Sequence, residues 1–171
     1  MNTREYMQHL KDNGYVRDEE VKEFNKALVK KYLWLVPCDE LTGELDPNYD
    51  YQSTWMDEIP DGWRAAFGDQ MVEELDQLLK KYNATDYKLV QVKEKFGELR
   101  WYDDGFPEEG YKEYDEWLTK YEGLSRVTCI RCGEPAKYTT TGWVLPVCEN
   151  CVPDSCTLEE DLKPVKSLAI R

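Results

Sequence analysis

The sequence predicts an α+β fold: helices packed around a β-hairpin, followed by a small four-cysteine ribbon. Three observations predict it. Apolar side chains recur at three- and four-residue steps over residues 18–32, 62–82 and 108–122, the period of helices with one buried face. Residues 86–102 switch to aliphatic and aromatic content on either side of Gly97, as a hairpin does. Cys129 and Cys132, then Cys148 and Cys151, form two C-x2-C pairs with fifteen residues between them.

Residues 2–12 read as a short helix. In 18–32 the stripe is Val21, Phe24, Ala27, Leu28 and Tyr32, and Asp18 is placed to cap it. Residues 33–60 hold Pro37, Gly43, Pro47 and Pro60 and no sustained period, so they read as irregular chain. A plain loop of that length is unusual in a compact domain. Trp34, Tyr49, Tyr51 and Trp55 are therefore expected to pin it to the core. The clearest helix, 62–82, lines up Trp63, Phe67, Met71, Leu75, Leu79 and Tyr82, with Asp61 as the expected N-cap and Asn83 as a left-handed end. In the hairpin, Gly97 supplies the positive φ of a tight turn and Asp103-Asp104-Gly105 ends the second strand. The following helix carries Tyr111, Tyr114, Trp117, Leu118 and Tyr121, with Gly123 as its expected stop. The ribbon insert offers Tyr138-Thr139-Thr140, a turn at Gly142, and Trp143-Val144-Leu145 as a small hairpin. These readings divide the chain into an α+β domain at 1–124, a ribbon at 125–156 and a tail at 157–171.

The chain has 171 residues, 41% of them apolar and 13% aromatic, enough for one domain with a real core. No run approaches the roughly 18 apolar residues of a membrane span, and MNTREYMQHL lacks the apolar stretch of a signal peptide. The expected location is the cytoplasm of a bacterial cell. There the six cysteines are reduced, and paired spacings point to metal before disulfide. Four thiolates, Cys129, Cys132, Cys148 and Cys151, close a tetrahedral zinc site and leave no open position for catalysis, so the expected cofactor is structural Zn2+. Cys156 offers a fifth thiol, with the tight pair favoured over it; Cys38 reads as a small half-buried residue.

The formal net charge is −13, unevenly spread. Residues 39–61 hold eight acids and no Lys or Arg; 103–122 hold eight acids against two lysines, −6. Between them, 88–100 holds four basic residues against Glu94 and Glu98, +2. Lys93 and Lys95 alternate onto one face, and Arg100 approaches them if the turn centres at Phe96-Gly97. Such a site could hold a phosphate or carboxylate, with Trp101 stacking a base. The competing reading is a scaffold whose cations pair with neighbouring acids.

The ordered segments DGWRAAFGDQM, VKEKFGELRWY, LSRVTCIRCGEPA and TGWVLPVCENC resemble a family of small phage and prophage zinc-ribbon proteins. In that family a KEKFG-x-LR hairpin precedes a C-x2-C-G knuckle, and a GW begins the last strand before the second cysteine pair. Here those positions are residues 93–100, Cys129 to Gly133, and Gly142-Trp143. The resemblance spans roughly residues 34–151. It implies a phage or prophage origin and brings no activity with it.

The sole histidine, His9, lies near the N-terminus, and neither a P-loop nor a GxGxxG occurs, so no enzyme is expected. An acidic chain disfavours direct nucleic-acid binding. The leading expectation is a non-enzymatic phage accessory protein that binds and inhibits a host factor, a defence component with a basic surface. Its contact would be the acidic aromatic block: Asp46, Tyr49, Asp50, Tyr51, Trp55, Asp57 and Glu58. The block's other reading is a solvated loop with its aromatics turned inward. The alternative function is a binder that sequesters a phosphorylated small molecule or nucleotide at Lys93, Lys95, Arg100 and Trp101; a third is a structural or assembly role.

Overall fold

The computed structural model describes every residue except 40, 41, 43, 157, 158 and 166–171. The fold is α+β, as the sequence pattern predicts. Helix α1 (Thr3–Asp12) opens with a capping box in which Asn2 and Glu5 satisfy each other's backbone N–H groups. Helix α2 (Glu19–Lys31) is capped by Asp18, whose carboxylate accepts from the Val21 N–H at 3.0 Å. Residues 33–60 contain two short 3-10 turns, Leu33–Leu35 and Trp55–Glu58. Trp55 is buried, and Trp34 packs edge-on to Tyr87 and Trp101.

Residues 61–81 form one helical rod in three parts: a turn, α3 (Asp61–Trp63); a π-helical segment, Arg64–Gly68; and α4 (Asp69–Lys81). Pro60 stands at the N-cap position in place of the expected Asp61. The Asp61 carboxylate is drawn instead to Lys11 at 3.5 Å and the Tyr15 hydroxyl at 3.2 Å, across to the α1–α2 connection. Asn83 ends the rod with φ +49, as expected.

Strands β1 (Lys88–Lys95) and β2 (Glu98–Asp104) pair antiparallel with a bulge at Val90. Both turn residues, Phe96 (φ +56) and Gly97 (φ +76), are left-handed, as a two-residue hairpin loop of type I′ requires. Helix α5 (Tyr111–Val127) runs on through Gly123, which is buried rather than terminal. Glycine weakens a helix by about 1 kcal/mol; packing of the following turn outweighs it, because the Ser125 Oγ accepts from the Leu99 N–H of β2 at 2.9 Å. The core between α4, α5 and the hairpin is largely aromatic, with Trp63, Trp117 and Tyr121 among its buried members.

The C-terminal sheet has the order β4-β3-β5, from β3 (Tyr138–Thr140), β4 (Pro146–Val147) and β5 (Leu162–Pro164). Two expectations are corrected here. The return strand begins at Pro146, because Thr140 and Leu145 close the turn with Thr140 N–H to Leu145 O at 3.0 Å, and Trp143 is left exposed. Residues 162–164 of the expected tail pair with β3 and belong to the ribbon; residues 157, 158 and 166–171 lie outside the described residues.

Asp57 sits at the junction of these parts. One of its oxygens accepts from Arg64, Arg17 and the Tyr6 hydroxyl at 3.0, 3.0 and 2.8 Å; the other accepts from the Thr54 backbone N–H. The Arg64 side chain is 2% exposed and Asp57 4%. Burial pushes the Asp57 carboxyl up, but Arg64, the Thr54 N–H, Tyr6 and Arg17 together hold it below its ordinary value. The Arg64 Nε and Nη2 have no hydrogen-bond acceptor among the described residues, and its guanidinium lies 4.6 Å from the Tyr6 ring centroid, a cation–π contact. Asp57→Ala would leave Arg64 buried without a counter-charge and is expected to cost about 3–5 kcal/mol, read as a lower urea midpoint. Because its folded pKa is depressed, the Asp57 contribution is complete above about pH 3.9, the ordinary carboxylate value, and disappears as pH falls through the folded pKa. An acid titration of wild type against Asp57→Asn should show the stability gap closing over that range.

Candidate metal centre

The thiols of Cys129, Cys132, Cys148 and Cys151 converge, with all four sulfurs within 4.8 Å of one another. Sulfurs at tetrahedral corners about 2.3 Å from an ion stand about 3.8 Å apart; Cys132 and Cys148 stand at 3.6 Å. Cys156 lies outside the cluster, so the tight pair closes the site. Cys38 is half-buried elsewhere and donates to the Leu89 carbonyl.

Each pair is shaped by its own backbone. After Cys132, Gly133 adopts φ +83, and its N–H returns to the Cys129 carbonyl at 2.9 Å, forming the first knuckle. The 3-10 turn Glu149–Cys151 does the same for the second, with the Cys151 N–H on the Cys148 carbonyl at 3.1 Å. The two are tied by the Ile130 N–H on the Pro146 carbonyl. Burial pushes the Cys129 thiol up, but N–H groups of Cys148, Cys132 and Arg131 donate to its sulfur and bring it down to about 7. Burial and the neighbouring thiols of Cys132, Cys148 and Cys129 push Cys151 up. Four thiolates this close would repel one another without a cation among them; the all-sulfur set could hold a metal ion and fits a zinc ribbon.

The first knuckle is seated on the helical rod. The Gly62 N–H donates to the Ile130 carbonyl at 2.9 Å, and Trp63 Nε1 donates to the Thr128 carbonyl at 3.0 Å. A Cβ at Gly62 would lie 2.2 Å from the Cys129 carbonyl oxygen, a distance no side chain tolerates. On the opposite flank the hairpin turn meets the ribbon, where a Cβ at Gly97 would lie 3.1 Å from the Val144 carbonyl oxygen. The DGW and KEKFG segments thus touch the ribbon directly, a relation that spacing alone did not reveal.

The structure divides the basic hairpin residues. Lys93 and Arg100 are cross-strand partners, and Lys95 faces Glu98. Arg100 is engaged by Glu98 and by Glu122 at 3.8 Å, and Glu98 also takes Arg126. Trp101 points to the opposite face: it is buried, and its Nε1 donates to the Tyr87 hydroxyl at 2.9 Å. Trp101 therefore cannot stack an incoming base at this surface. Lys93 and Lys95 form no ion pair among the described residues; they lie 5.2 Å from the Tyr102 and 5.6 Å from the Phe96 ring centroids. Sequence reasoning missed Phe96, 72% exposed, and Trp143, 76% exposed. The signals for them were that each adjoins a turn glycine and lies in a motif, KEKFG or GW.

The acidic block is divided too. Asp57 and Trp55 are interior, so neither can meet a partner directly. Tyr49 and Tyr51 pack edge-on at 5.0 Å, half-buried. Asp46, Asp50 and Glu58 are exposed; Lys22 stands 3.3 Å from Asp50. Glu40, counted in the block, lies outside the described residues. His9 is held by Asp18 at 2.8 Å and by Asn13 between α1 and α2.

Removing the metal with a chelator should abolish protection of the Ile130 and Cys151 amides in hydrogen exchange while sparing those of α4. Cys129→Ser should lower bound metal well below one equivalent by mass spectrometry; Cys156→Ser should leave it unchanged. Gly62→Ala should expose Trp63 and lower the midpoint even with metal in excess, because the clash is with backbone rather than with a movable side chain.

No protein-family model, curated protein or solved structure matches this chain.

Proposed function

We propose that the chain is a non-enzymatic accessory protein, of phage or prophage origin, that binds and inhibits a basic host protein. The contact is the exposed part of the acidic block: Asp46, Asp50 and Glu58, beside Tyr49 and Tyr51. One zinc ion in the four-cysteine site is structural and holds the ribbon to the rod.

The observation that supports this reading is where the charge is left over. The chain has 35 acids against 22 basic residues. Many of the cations are spent inside the molecule: Arg17 and Arg64 on Asp57, Arg100 and Arg126 on Glu98, Lys31 on Glu73, Lys81 on Glu113 and Lys120 on Glu74. The remaining surface field is therefore negative, which steers the molecule toward basic surfaces. The aromatic pair supplies anchor area next to that field.

The test is cross-linking of the tagged protein in host lysate, followed by binding to the purified partner at two salt concentrations. Asp46→Asn, Asp50→Asn and Glu58→Gln together should slow association about tenfold or more and flatten its salt dependence. An unchanged rate with the triple variant would remove the acidic face from the contact.

A second reading, capture of a phosphorylated small molecule, is favoured by Lys93 and Lys95, which have no carboxylate partners among the described residues. In that case the binding groups are these lysines with Phe96, rather than Arg100 and Trp101. Lys93→Ala with Lys95→Ala would then abolish nucleotide binding while leaving binding to the host protein intact.

A further inference from the structure

A cleft of about 520 Å3 opens between the turn Leu33–Leu35, the side chains of Val36, Cys38 and Leu45, the end of α4 and the start of β1. That volume lies in the range of roughly 300–1,000 Å3 typical of small-molecule sites. Its described walls are mainly apolar, with Leu33, Trp34, Leu45, Leu79, Tyr87 and Leu89 contributing. Two leucines stand exposed among the described residues, Leu33 at 73% and Leu45 at 56%, and both line this cleft. Neither belongs to a core cluster, so the fold does not account for them.

The polar part of the described lining comes from Asp76, Lys80, Asn83, Thr85 and Lys88, with the Cys38 thiol and the Trp34 indole. Asp76 is paired with Lys80 at 2.5 Å and so is already neutralised. Lys88, at the start of β1, forms no ion pair among the described residues and leaves the described lining with one net positive charge. The indole Nε1–H of Trp34 is a buried donor with no acceptor among the described residues. An apolar wall, a spare cation and an unused donor call for an apolar body ending in a group that accepts hydrogen bonds.

We propose that this cleft binds a small amphipathic anion, an alkyl or aryl carboxylate. Its chain covers Leu33 and Leu45, and its carboxylate faces Lys88. None of its described lining residues belongs to the four-cysteine cluster or to the hairpin turn; Leu45 adjoins Asp46 of the acidic face, but the site does not depend on the function proposed above.

Octanoate, octanol and octylammonium share one chain length and differ in head group, so they separate the two parts of the proposal. Each would be titrated into the 15N-labelled, metal-loaded full chain and followed by amide shifts. Octanoate is expected to saturate one site and to move the amides of Leu33, Cys38, Leu45, Ala84 and Leu89. Octanol and octylammonium are expected to bind about tenfold more weakly or worse, the difference made by one favourable charge. Lys88→Glu should reverse the preference between octanoate and octylammonium. Leu45→Asp, at an exposed position that leaves the remaining spectrum in place, should abolish octanoate binding. Shifts scattered over the surface, or no saturation at millimolar octanoate, would overturn the site. Equal affinity for the three probes, or no effect of Lys88→Glu, would overturn the anion.

Discussion

The buried pair between Asp57 and Arg64 is the constraint on which the arrangement of this molecule depends. A guanidinium in the interior is costly unless a carboxylate faces it. Here the carboxylate comes from the irregular segment before the helical rod and the guanidinium from its π-helical part, while Tyr6 and Arg17 bring in α1 and the α1–α2 loop. One carboxylate thus connects chain elements that share little apolar surface. The first two turns of the rod hold Gly62 against the metal knuckle and Arg64 against Asp57, so the ribbon and the N-terminal helices are registered on one short stretch of backbone.

A second device recurs around the core. Lys31-Tyr32 grips Glu73, Lys81-Tyr82 grips Glu113, and Lys120-Tyr121 grips Glu74, each with an ammonium and a phenol on one carboxylate. In each the lysine also lies over the ring of the tyrosine beside it, at 4.6 to 5.2 Å from the centroid. Exposed ion pairs are individually weak. A phenol anchored in the core narrows the geometry that the lysine must hold, which lowers the entropy cost of the pair. These clamps lie where α2, α4 and α5 meet, and they turn a strongly acidic sequence into one whose surplus charge is confined to particular faces.

The cysteine cluster, the α2 cap and the hairpin turn were legible because each rests on contacts within a few residues or on rigid donor spacing. The C-x2-C pairs require two knuckles, Asp18 reaches the Val21 N–H three residues on, and Phe96-Gly97 alone allows two left-handed residues between matched strands. The misplaced features are those decided by distant partners. Asp61 was taken from its cap role by Lys11 and Tyr15; Gly123 stayed helical because Ser125 reaches β2; Trp101 turned inward because α5 packs on that face of the hairpin, with the Trp117 ring centroid 5.3 Å from its own.

By itself the sequence determined the α+β class, the four thiols that cluster, the hairpin turn and the excess of acid, since periodicity, spacing and composition are local properties. Only the tertiary structure decided which charges remain available. Asp57 read as a contact residue until burial against Arg64 removed it; Trp55 read both as a core pin and as a contact until the core took it; and Arg100 read both as an anion ligand and as a scaffold cation until Glu98 and Glu122 engaged it. The cleft flanked by Leu33 and Leu45 is likewise a product of two stretches of chain, residues 33–45 and 76–89, that are far apart in sequence, because a cavity exists only between surfaces that the fold has brought together.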